Sequence, residues 1–265
     1  MKQYQGAIFC DIDGTLVDEQ QRIFQPTPKV KAALSELKER GYLIGIATGR
    51  AQCYIPDLGI DFDCYVSCNG AVAEVAGEKI FDDYIADEQL QELIAYMNQE
   101  KIGYILENSQ QCLYQKTAED DVKRILEIFH LDPSVFSPLK TLDGFRVNQL
   151  MITFEKMEQL EKIREHFSQE YLIAQHRGTY SADLGKQTVT KASGIHAVLT
   201  HFGIDKDKTY AFGDHYNDVE MLAEVKHSVA MTPHADVLEE VAEYVTGSVA
   251  EDGIYHGLKH YGLVD

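Results

Sequence analysis

The sequence lacks long apolar runs, and no stretch approaches the roughly 18 consecutive apolar residues that a membrane-spanning helix needs. It begins with MKQYQG and passes directly into a short apolar run, which leaves no room for a signal peptide. Internal repeats and low-complexity segments are also missing. We therefore expect a cytoplasmic protein that makes no contact with membranes.

Cysteines and basic residues are scarce. The five cysteines are odd in number and none forms a C-x-x-C pair, which predicts reduced thiols. A metal pair of Cys64 and Cys68 is the alternative, although no second ligand pair at zinc spacing accompanies it. The 24 Lys and Arg against 43 Asp and Glu give a formal net charge of -19. Such a charge repels nucleic acid and anionic membranes, so an anionic substrate would need local positive charge.

The 265 residues are enough for one large domain or two modest ones. At both ends of the chain, apolar runs without alternation follow helical patterns, a rhythm that indicates a parallel sheet with helices on both faces. From about residue 84 the pattern changes to that of a smaller α+β module. We predict an α/β protein with a doubly wound, Rossmann-like core over residues 1–83 and 185–265, interrupted by an α+β domain over residues 84–184.

The periodicity of apolar residues and the residues that typically begin or end helices and strands also predict individual elements. In the core they indicate strands at residues 7–10, 42–47, 64–71 (with a turn at Asn69-Gly70), 209–212, 227–231 and 244–246, and helices at residues 28–41, 191–203, 219–225 and 235–243. In the middle module they indicate helices at residues 87–99, 117–130 and 155–167, and strands at residues 102–106, 112–114, 147–154, 171–174 and 179–184.

Two carboxylates, Asp11 and Asp13, stand directly after the first predicted strand. Side chains alternate along a strand, so the two point the same way where the strand ends. Carboxylates held together repel each other unless a cation or a shared proton relieves them, which indicates a metal site. The alternative is a surface turn in which Asp and Gly simply end the strand.

Polar residues follow two more predicted strands, Thr48 with Gly49 in one case and Asp214 in the other. Ligands of open parallel α/β sheets bind outside the carboxyl ends of the strands. Thr48 and Gly49 offer a hydroxyl and an unobstructed N–H to a phosphate oxygen, or else they cap a helix. Asp214 offers a third carboxylate to a hard cation such as Mg²⁺, and Asn217 offers a donor to phosphate.

Lys191 stands at the start of a predicted helix, where the helix dipole is positive. A cation there is favourable if an anion sits between the ammonium and the helix N-terminus, and otherwise Lys191 is a solvated surface residue. Asp218 lies in the first turn of another predicted helix, where the positive end of the helix dipole favours a negative charge. Asp218 therefore either belongs to the site or simply stabilises its own helix.

Together these segments resemble the haloacid dehalogenase superfamily, and within it the Cof-like phosphatases whose type IIB cap domain follows the third core strand. The resemblance rests on DIDGTL at residues 11–16, TGR at 48–50, SCNGA at 67–71, Lys191, and GDHYNDVEML at 213–222. These segments occur in order and at suitable spacing across both outer thirds of the chain. The resemblance implies a Mg²⁺-dependent phosphatase with an aspartyl-phosphate intermediate and a cap that closes over the site.

Carried over by position, the resemblance makes Asp11 the nucleophile and Asp13 the general acid/base. It places Mg²⁺ on Asp11, Asp214 and the backbone carbonyl of Asp13. It lets Asp218 order its own loop and the lysine. The residues that it assigns to phosphate are Ile12, Thr48, Gly49, Lys191 and Asn217.

The sequence departs from the family pattern in two places. His215 and Tyr216 stand where the family usually has a small residue after the aspartate. Lys191 is followed by Ala192, Ser193 and Gly194, whereas a glycine usually comes next. Neither departure removes a catalytic group, but the resemblance does not extend to the loop geometry or to the rim that faces the substrate.

Four residues of the middle module, Arg146, Asn148, His176 and Arg177, are candidates for binding a polar, anionic leaving group. The alternative is that they are solvated side chains on the surface of the module.

A closed site has little room for a protein surface, so we expect a small phosphorylated metabolite such as a sugar phosphate or a phosphorylated cofactor. We expect a monomer or homodimer. Two other functions stay open: a phosphotransferase or mutase that uses the same phosphoenzyme, and a non-catalytic regulatory protein on the same fold.

Overall fold

The computed structural model describes residues 3–176 and 178–265. The chain divides into two compact units. The first contains the residues up to Thr48, then Asp57–Phe81 and Thr190–Asp265. The second contains Gly49–Pro56 and Asp82–Val189, so a short segment directly after Thr48 belongs with the middle of the chain.

The secondary structure alternates between strands and helices through most of the chain. In chain order, the strands of the described residues are β1 (Gly6–Cys10), β2 (Tyr42–Ala47), β3 (Cys64–Ser67), β4 (Val72–Val75), β5 (Glu78–Asp82), β6 (Gly103–Glu107), β7 (Cys112–Tyr114), β8 (Phe136–Pro138), β9 (Gln149–Thr153), β10 (Tyr171–Gln175), β11 (Ser181–Lys186), β12 (Thr209–Gly213), β13 (His227–Ala230) and β14 (Tyr244–Val245). The α-helices are α1 (Pro28–Glu39), α2 (Asp87–Gln99), α3 (Glu119–Ile128), α4 (Met157–Phe167), α5 (Lys191–Phe202), α6 (Val219–Glu224) and α7 (Gly253–His260). None of these helices combines the length and the apolar character needed to cross a membrane.

The first unit is built on a sheet with the strand order β14-β13-β12-β1-β2-β3-β4-β5. The strands from β14 to β3 pair in parallel, and β4 pairs antiparallel with β3. All five residues of β1 are buried, as expected of a central strand covered on both faces. The prediction of an α/β fold with a parallel-sheet core is therefore confirmed.

Helix ends in the first unit follow from local chemistry. Thr27 caps α1, because its hydroxyl oxygen accepts a hydrogen bond from the Val30 N–H at 3.2 Å, and Pro28 occupies the first helical position. Helix α5 begins at Lys191 and is followed by Gly203 at φ 63°, a left-handed conformation that glycine adopts without strain.

The second unit has a sheet with the order β10-β11-β9-β6-β7-β8, antiparallel except between β7 and β8. One face packs against α2 and α4, and the wholly buried residues of this core are Leu93, Met97, Leu106, Leu150, Ile152, Leu160, Ile163, Ala182 and Leu184. Because side chains alternate along strands, the opposite face presents other residues. Among these are the buried polar residues Glu107, Gln149 and Asp183.

Two predicted elements differ in extent or type from those of the structure. The strand predicted within residues 64–71 ends at Ser67, and the turn predicted at Asn69-Gly70 is confirmed: Cys68–Gly70 form a 3₁₀ turn in which Asn69 has φ 50° and Gly70 has φ 94°. The helix predicted at residues 235–243 is only a 3₁₀ turn, Asp236–Glu240. Three glutamates at its carboxyl end, at positions 239, 240 and 243, oppose the dipole of a longer helix.

Helix α7 was not predicted, because two glycines within eight residues weaken its helical pattern. Packing explains one of them. A Cβ at Gly257 would lie 2.5 Å from Cε1 of Phe212, so the helix approaches β12 closely only with glycine at that position.

Candidate active site

Three adjacent parallel strands place the central residues of the site. In the order β12-β1-β2, they are followed directly by Asp214, Asp11 and Thr48. The Asp11 N–H donates to the Phe212 carbonyl at 3.0 Å, which fixes the backbone where β1 ends. The three polar residues therefore stand at one edge of the sheet, and Asp11, Thr48 and Asp214 are all buried there.

The loop after β1 is built against Asp214. Its glycine, Gly14, has φ 88°, and a Cβ added to it would lie 2.2 Å from Oδ2 of Asp214. The hydroxyl of Thr15 donates to Oδ1 of the same carboxylate at 3.1 Å. Asp13 is half-buried in this loop and bridges Val17 through the backbone. The loop thus needs glycine at position 14 for both its conformation and its close approach.

Lys191 lies between two carboxylates. Its Nζ donates to Oδ1 of Asp11 at 2.8 Å and to Oδ1 of Asp218 at 2.7 Å. The Lys191 side chain is wholly buried. Burial disfavours its charged form, but Asp11 and Asp218 outweigh this effect and raise the pKa of Lys191. Lys191 is therefore a fixed positive charge beside Asp11.

Both oxygens of Asp218 are committed to holding other groups. While Oδ1 accepts from Lys191, Oδ2 accepts from the backbone N–H groups of Asp214 and His215, each at 2.9 Å. This carboxylate therefore ties the loop after β12 to Lys191. The side chain of the neighbouring Tyr216, which with His215 forms one of the two departures from the family pattern, is exposed.

A buried acidic cluster forms where these contacts meet. Carboxylate oxygens of Asp11, Asp214 and Asp218 lie within 4.8 Å of one another. Burial raises the pKa of Asp11 to about 7, with Lys191 opposing this rise and Asp218 adding to it. Burial, followed by the charges of Asp218 and Asp11, raises the pKa of Asp214 well above its ordinary value.

The residues of this cluster fit a hard divalent cation. When all three carboxylates are ionised, Lys191 compensates only one of their charges, so two negative charges are left in a buried place. Oxygen ligands are those that Mg²⁺ prefers. Since both oxygens of Asp218 are already engaged, Asp11 and Asp214 are the side chains suited to binding the ion.

Sequence reasoning missed the roles of Asn69 and Gly70, although their motif was recognised. The Asn69 side-chain oxygen accepts from Nδ2 of Asn217 at 2.9 Å. A Cβ at Gly70 would lie 1.8 Å from the carbonyl oxygen of Thr190, so this turn packs directly against the start of α5. The Asn-Gly pair predicted the turn itself, but it gave no signal for the contacts that the turn makes with Asn217 and with the start of α5.

Two further residues, Ile12 and Gly49, were predicted to bind phosphate. Ile12 is wholly buried, and its carbonyl accepts from the N–H groups of Leu16 and Val17 at 2.9 and 3.0 Å. Gly49 opens the segment Gly49–Pro56 of the second unit. The roles of Ile12 and Gly49 towards phosphate stay predictions.

Two of the candidate substrate residues bind partners within the second unit. Asn148 is buried and donates from Nδ2 to Oδ1 of Asp82 at 2.9 Å. The His176 ring lies within hydrogen-bond distance of Ser181 Oγ at 2.8 Å and of Asp183 Oδ1 at 3.0 Å. These contacts stabilise the second unit, and a role for either residue towards a substrate stays a prediction.

The other two candidates are both arginines. Arg146 is exposed, and its guanidinium lies 4.7 Å from the centre of the Tyr84 ring, a cation–π geometry. Arg177 lies outside the described residues. The proposed contact of either arginine with a leaving group therefore also stays a prediction.

A buried carboxyl group that the sequence did not indicate lies in the second unit. Both oxygens of Glu107 are near the Tyr54 hydroxyl, at 3.1 and 3.2 Å, and Oε2 accepts from Nε2 of Gln149 at 2.7 Å. Nε2 of Gln149 also donates to the Gly49 carbonyl at 2.8 Å. Burial first, and then the charge of Asp183, raise the pKa of Glu107 well above 4.5. Glu107 and Gln149 therefore help to hold the segment after Thr48.

The chain is similar to known proteins over nearly its whole length. The family model for haloacid dehalogenase-like hydrolases matches residues 8–258. YkrA of Bacillus subtilis (strain 168), whose phosphatase assignment is itself provisional, is 29% identical over 265 residues, covering 97% of this chain and 98% of the relative. The 5-amino-6-(5-phospho-D-ribitylamino)uracil phosphatase YbjI of Escherichia coli (strain K12) is 22% identical over 253 residues, covering 93% and 92%. A solved HAD subclass IIB sugar phosphatase is similar with TM-score 0.84 and 28% identity, covering 98% of this chain and 100% of that one.

Proposed function

This chain belongs to the family of haloacid dehalogenase-like hydrolases, and from that membership we propose a Mg²⁺-dependent phosphatase that works through an aspartyl-phosphate on Asp11. One observation carries the proposal. Lys191 bridges Asp11 and Asp218 in a buried cluster that also contains Asp214. The cluster combines a nucleophile, a fixed cation and a second carboxylate, the groups that phosphoryl transfer to a carboxylate needs.

In the first step, a carboxylate oxygen of Asp11 attacks the phosphorus and forms the new P–O bond. The bond between phosphorus and the leaving oxygen breaks, and Asp13 donates a proton to that oxygen. The Lys191 ammonium offsets the charge of the phosphoryl oxygens. The Thr48 hydroxyl, the Gly49 N–H and the Asn217 amide add donors, and Asn217 is oriented by its bond to Asn69.

In the second step, Asp13 accepts a proton from water, and the water oxygen attacks the phosphorus. The bond between phosphorus and Asp11 breaks, which releases inorganic phosphate and restores the Asp11 carboxylate. A single residue thus supplies a proton in one step and removes one in the next. Without Asp13, the first step is still possible for a leaving group that needs no protonation.

Asp11, Asp214 and the Asp13 backbone carbonyl would hold Mg²⁺, which when bound supplies positive charge that offsets repulsion between a carboxylate and a phosphate dianion. Asp218 acts as a positioning residue, because its oxygens hold Lys191 and the backbone of Asp214. Thr15 has a similar part through its bond to Asp214.

The substrate class that we propose is small phosphorylated metabolites, namely sugar phosphates or phosphorylated cofactors. The support comes from similar proteins. One is named for a phosphorylated ribitylamino-uracil and another is a sugar phosphatase. The net charge of -19 supports a small substrate that is held by local positive charge such as that of Lys191.

The experiment is phosphate release from p-nitrophenyl phosphate and from a panel of phosphorylated metabolites, with Mg²⁺ and with EDTA. We expect Mg²⁺-dependent activity that is lost in Asp11→Asn and kept in Asp236→Asn, an exposed aspartate of the same unit. Activity that survives both EDTA and Asp11→Asn would show that the proposed mechanism is wrong.

A further inference from the structure

We propose that Cys53 and Cys112 form a dithiol that peroxide oxidises to a disulfide, and that this disulfide slows turnover. Their sulfur atoms lie 3.9 Å apart in the second unit, and no disulfide joins them. A pair of sulfurs in contact can be joined by a disulfide bond after a small local movement.

Neighbouring residues hold this pair in place. Cys53 lies in a 3₁₀ turn and is followed by Tyr54, whose hydroxyl contacts Glu107 and whose ring centre lies 5.6 Å from that of Phe136. Cys112 pairs with the same two residues, with Glu107 on β6 and with Phe136 on β8. The contacts of Tyr54 and the register of β7 therefore bring the two thiols together independently of any bond between them.

The two sulfurs have different surroundings, which assigns a role to each. Cys53 is half-buried, whereas Cys112 is wholly buried. The hydrogen bond between the two sulfurs lowers the pKa of Cys53, although burial opposes this effect. Cys53 is thus the thiol that peroxide reaches, and Cys112 is the thiol that resolves the product.

The chemistry balances in two steps. The Cys53 thiolate attacks a peroxide oxygen, the O–O bond breaks, and protonation of the leaving oxygen gives an alcohol or water and a Cys53 sulfenic acid. The Cys112 sulfur then attacks the sulfur of Cys53, which forms the S–S bond and expels water. Two thiols are oxidised and one peroxide is reduced.

The remaining cysteines give a contrast within the same chain. Cys10, Cys64 and Cys68 are buried in the first unit. Burial raises the pKa values of Cys10 and Cys64, so these two are protonated at neutral pH. Peroxide should therefore select the Cys53 site.

The expected effect on turnover rests on the proposed function. Bond formation brings the sulfurs to about 2 Å, so the segment Gly49–Pro56 must shift relative to β7. That segment follows Thr48 directly and begins with Gly49, a proposed phosphate ligand. Displacement of a catalytic group by about 1 Å can cost 100-fold in rate, so we expect kcat to fall about tenfold or more.

The test treats reduced protein with hydrogen peroxide, alkylates the remaining thiols and maps the peptides by mass spectrometry. We expect a disulfide between residues 53 and 112 within one chain, a fall in kcat of about tenfold, and recovery with dithiothreitol. In Cys112→Ser, dimedone should trap the sulfenic acid of Cys53. In Cys53→Ser, peroxide should leave kcat unchanged. Matching far-ultraviolet circular dichroism and melting temperatures of the reduced proteins exclude misfolding of the variants.

If peroxide-treated wild-type protein contains no disulfide between residues 53 and 112, the proposed oxidation of this dithiol is wrong. A disulfide with unchanged kcat would overturn its effect on turnover. Failure of the proposed function is distinguishable, because it would appear as a reduced wild-type protein without phosphatase activity. The peptide map tests whether the disulfide forms, and this test does not depend on phosphatase activity.

Discussion

Lys191 and Asp218 form a wholly buried ion pair, with 2.7 Å between Nζ and Oδ1. The other oxygen of Asp218 accepts from two backbone N–H groups of the loop that carries Asp214. One carboxylate therefore links a helix start to the loop after a strand. Both oxygens of Asp218 are engaged without a substrate, which supports the positioning role proposed for it.

Replacing Asp218 by Asn should impair both stability and activity. The amide keeps one acceptor oxygen, but its NH₂ group meets N–H donors where Oδ2 accepted from Asp214 and His215. Loss of one partner of a buried pair costs about 3 kcal/mol, which urea denaturation followed by circular dichroism measures. Asp236→Asn, at an exposed position of the same unit, is the control and should unfold like the wild type. Equal stability of the two variants would contradict the account.

Replacing Lys191 by Arg tests geometry separately from charge. The lysine side chain is wholly buried between Asp11 and Asp218, so the larger guanidinium must displace one of them. We expect kcat with p-nitrophenyl phosphate to fall about 100-fold or more despite the retained charge. If kcat stays within a few-fold of the wild type, the positive charge at position 191 is sufficient and the exact position of the lysine ammonium is not required.

Replacing Gly14 by Ala should displace Asp214. The added Cβ would lie 2.2 Å from the carboxylate, and φ is 88°. Gly77→Ala is a matched control, because Gly77 has φ 81° and no atom within 4 Å of an added Cβ. We expect Gly14→Ala to need more Mg²⁺ for half-maximal activity and Gly77→Ala to need no more than the wild type. A similar Mg²⁺ requirement in both variants would remove Asp214 from the proposed metal site.

The parallel core could be predicted because its signals are local. Residues 42–47 form an uninterrupted apolar run, and β2 has the same bounds. Helix α2 also has the predicted bounds, since Leu90, Leu93 and Met97 recur at helical spacing. The meeting of Asp11, Thr48 and Asp214 at one edge follows from parallel pairing, which these patterns favour.

Other features depend on contacts between distant residues, and no local pattern reports them. Residues 49–56 group with the second unit through the contact of Tyr54 with Glu107, which lies 53 residues later in the chain. Asp218 reads from sequence as a dipole partner of its helix. Its bond to Lys191 joins residues 27 apart, and before the structure this relation came only from the family resemblance, not from the local pattern.

Replacing Glu107 by Gln should change how stability depends on pH. Burial raises the pKa of Glu107 above 4.5, so the folded protein retains a proton that the unfolded chain releases. The stability from this group is complete below pH 4.5 and is lost as pH rises through the folded pKa. The amide of the Glu107→Gln variant does not titrate, so the variant should gain stability relative to the wild type between about pH 5 and pH 8. Urea denaturation at both pH values measures this difference.

The control for that comparison is Glu240→Gln, at an exposed position of the first unit. Its stability relative to the wild type should be the same at both pH values. If Glu107→Gln behaves as Glu240→Gln does, the carboxyl of Glu107 is ionised in the folded protein.

The central claim is that Asp11 becomes phosphorylated and that Asp13 is needed to release the phosphate. The most direct measurement mixes Asp13→Asn protein and Mg²⁺ with p-nitrophenyl phosphate, followed by an acid quench and mass spectrometry. We predict a burst of about one equivalent of nitrophenolate and a phosphorylated peptide that contains Asp11. The double variant Asp11→Asn, Asp13→Asn should give neither. Turnover by Asp13→Asn without a burst, or phosphate on a peptide that lacks Asp11, would contradict the account.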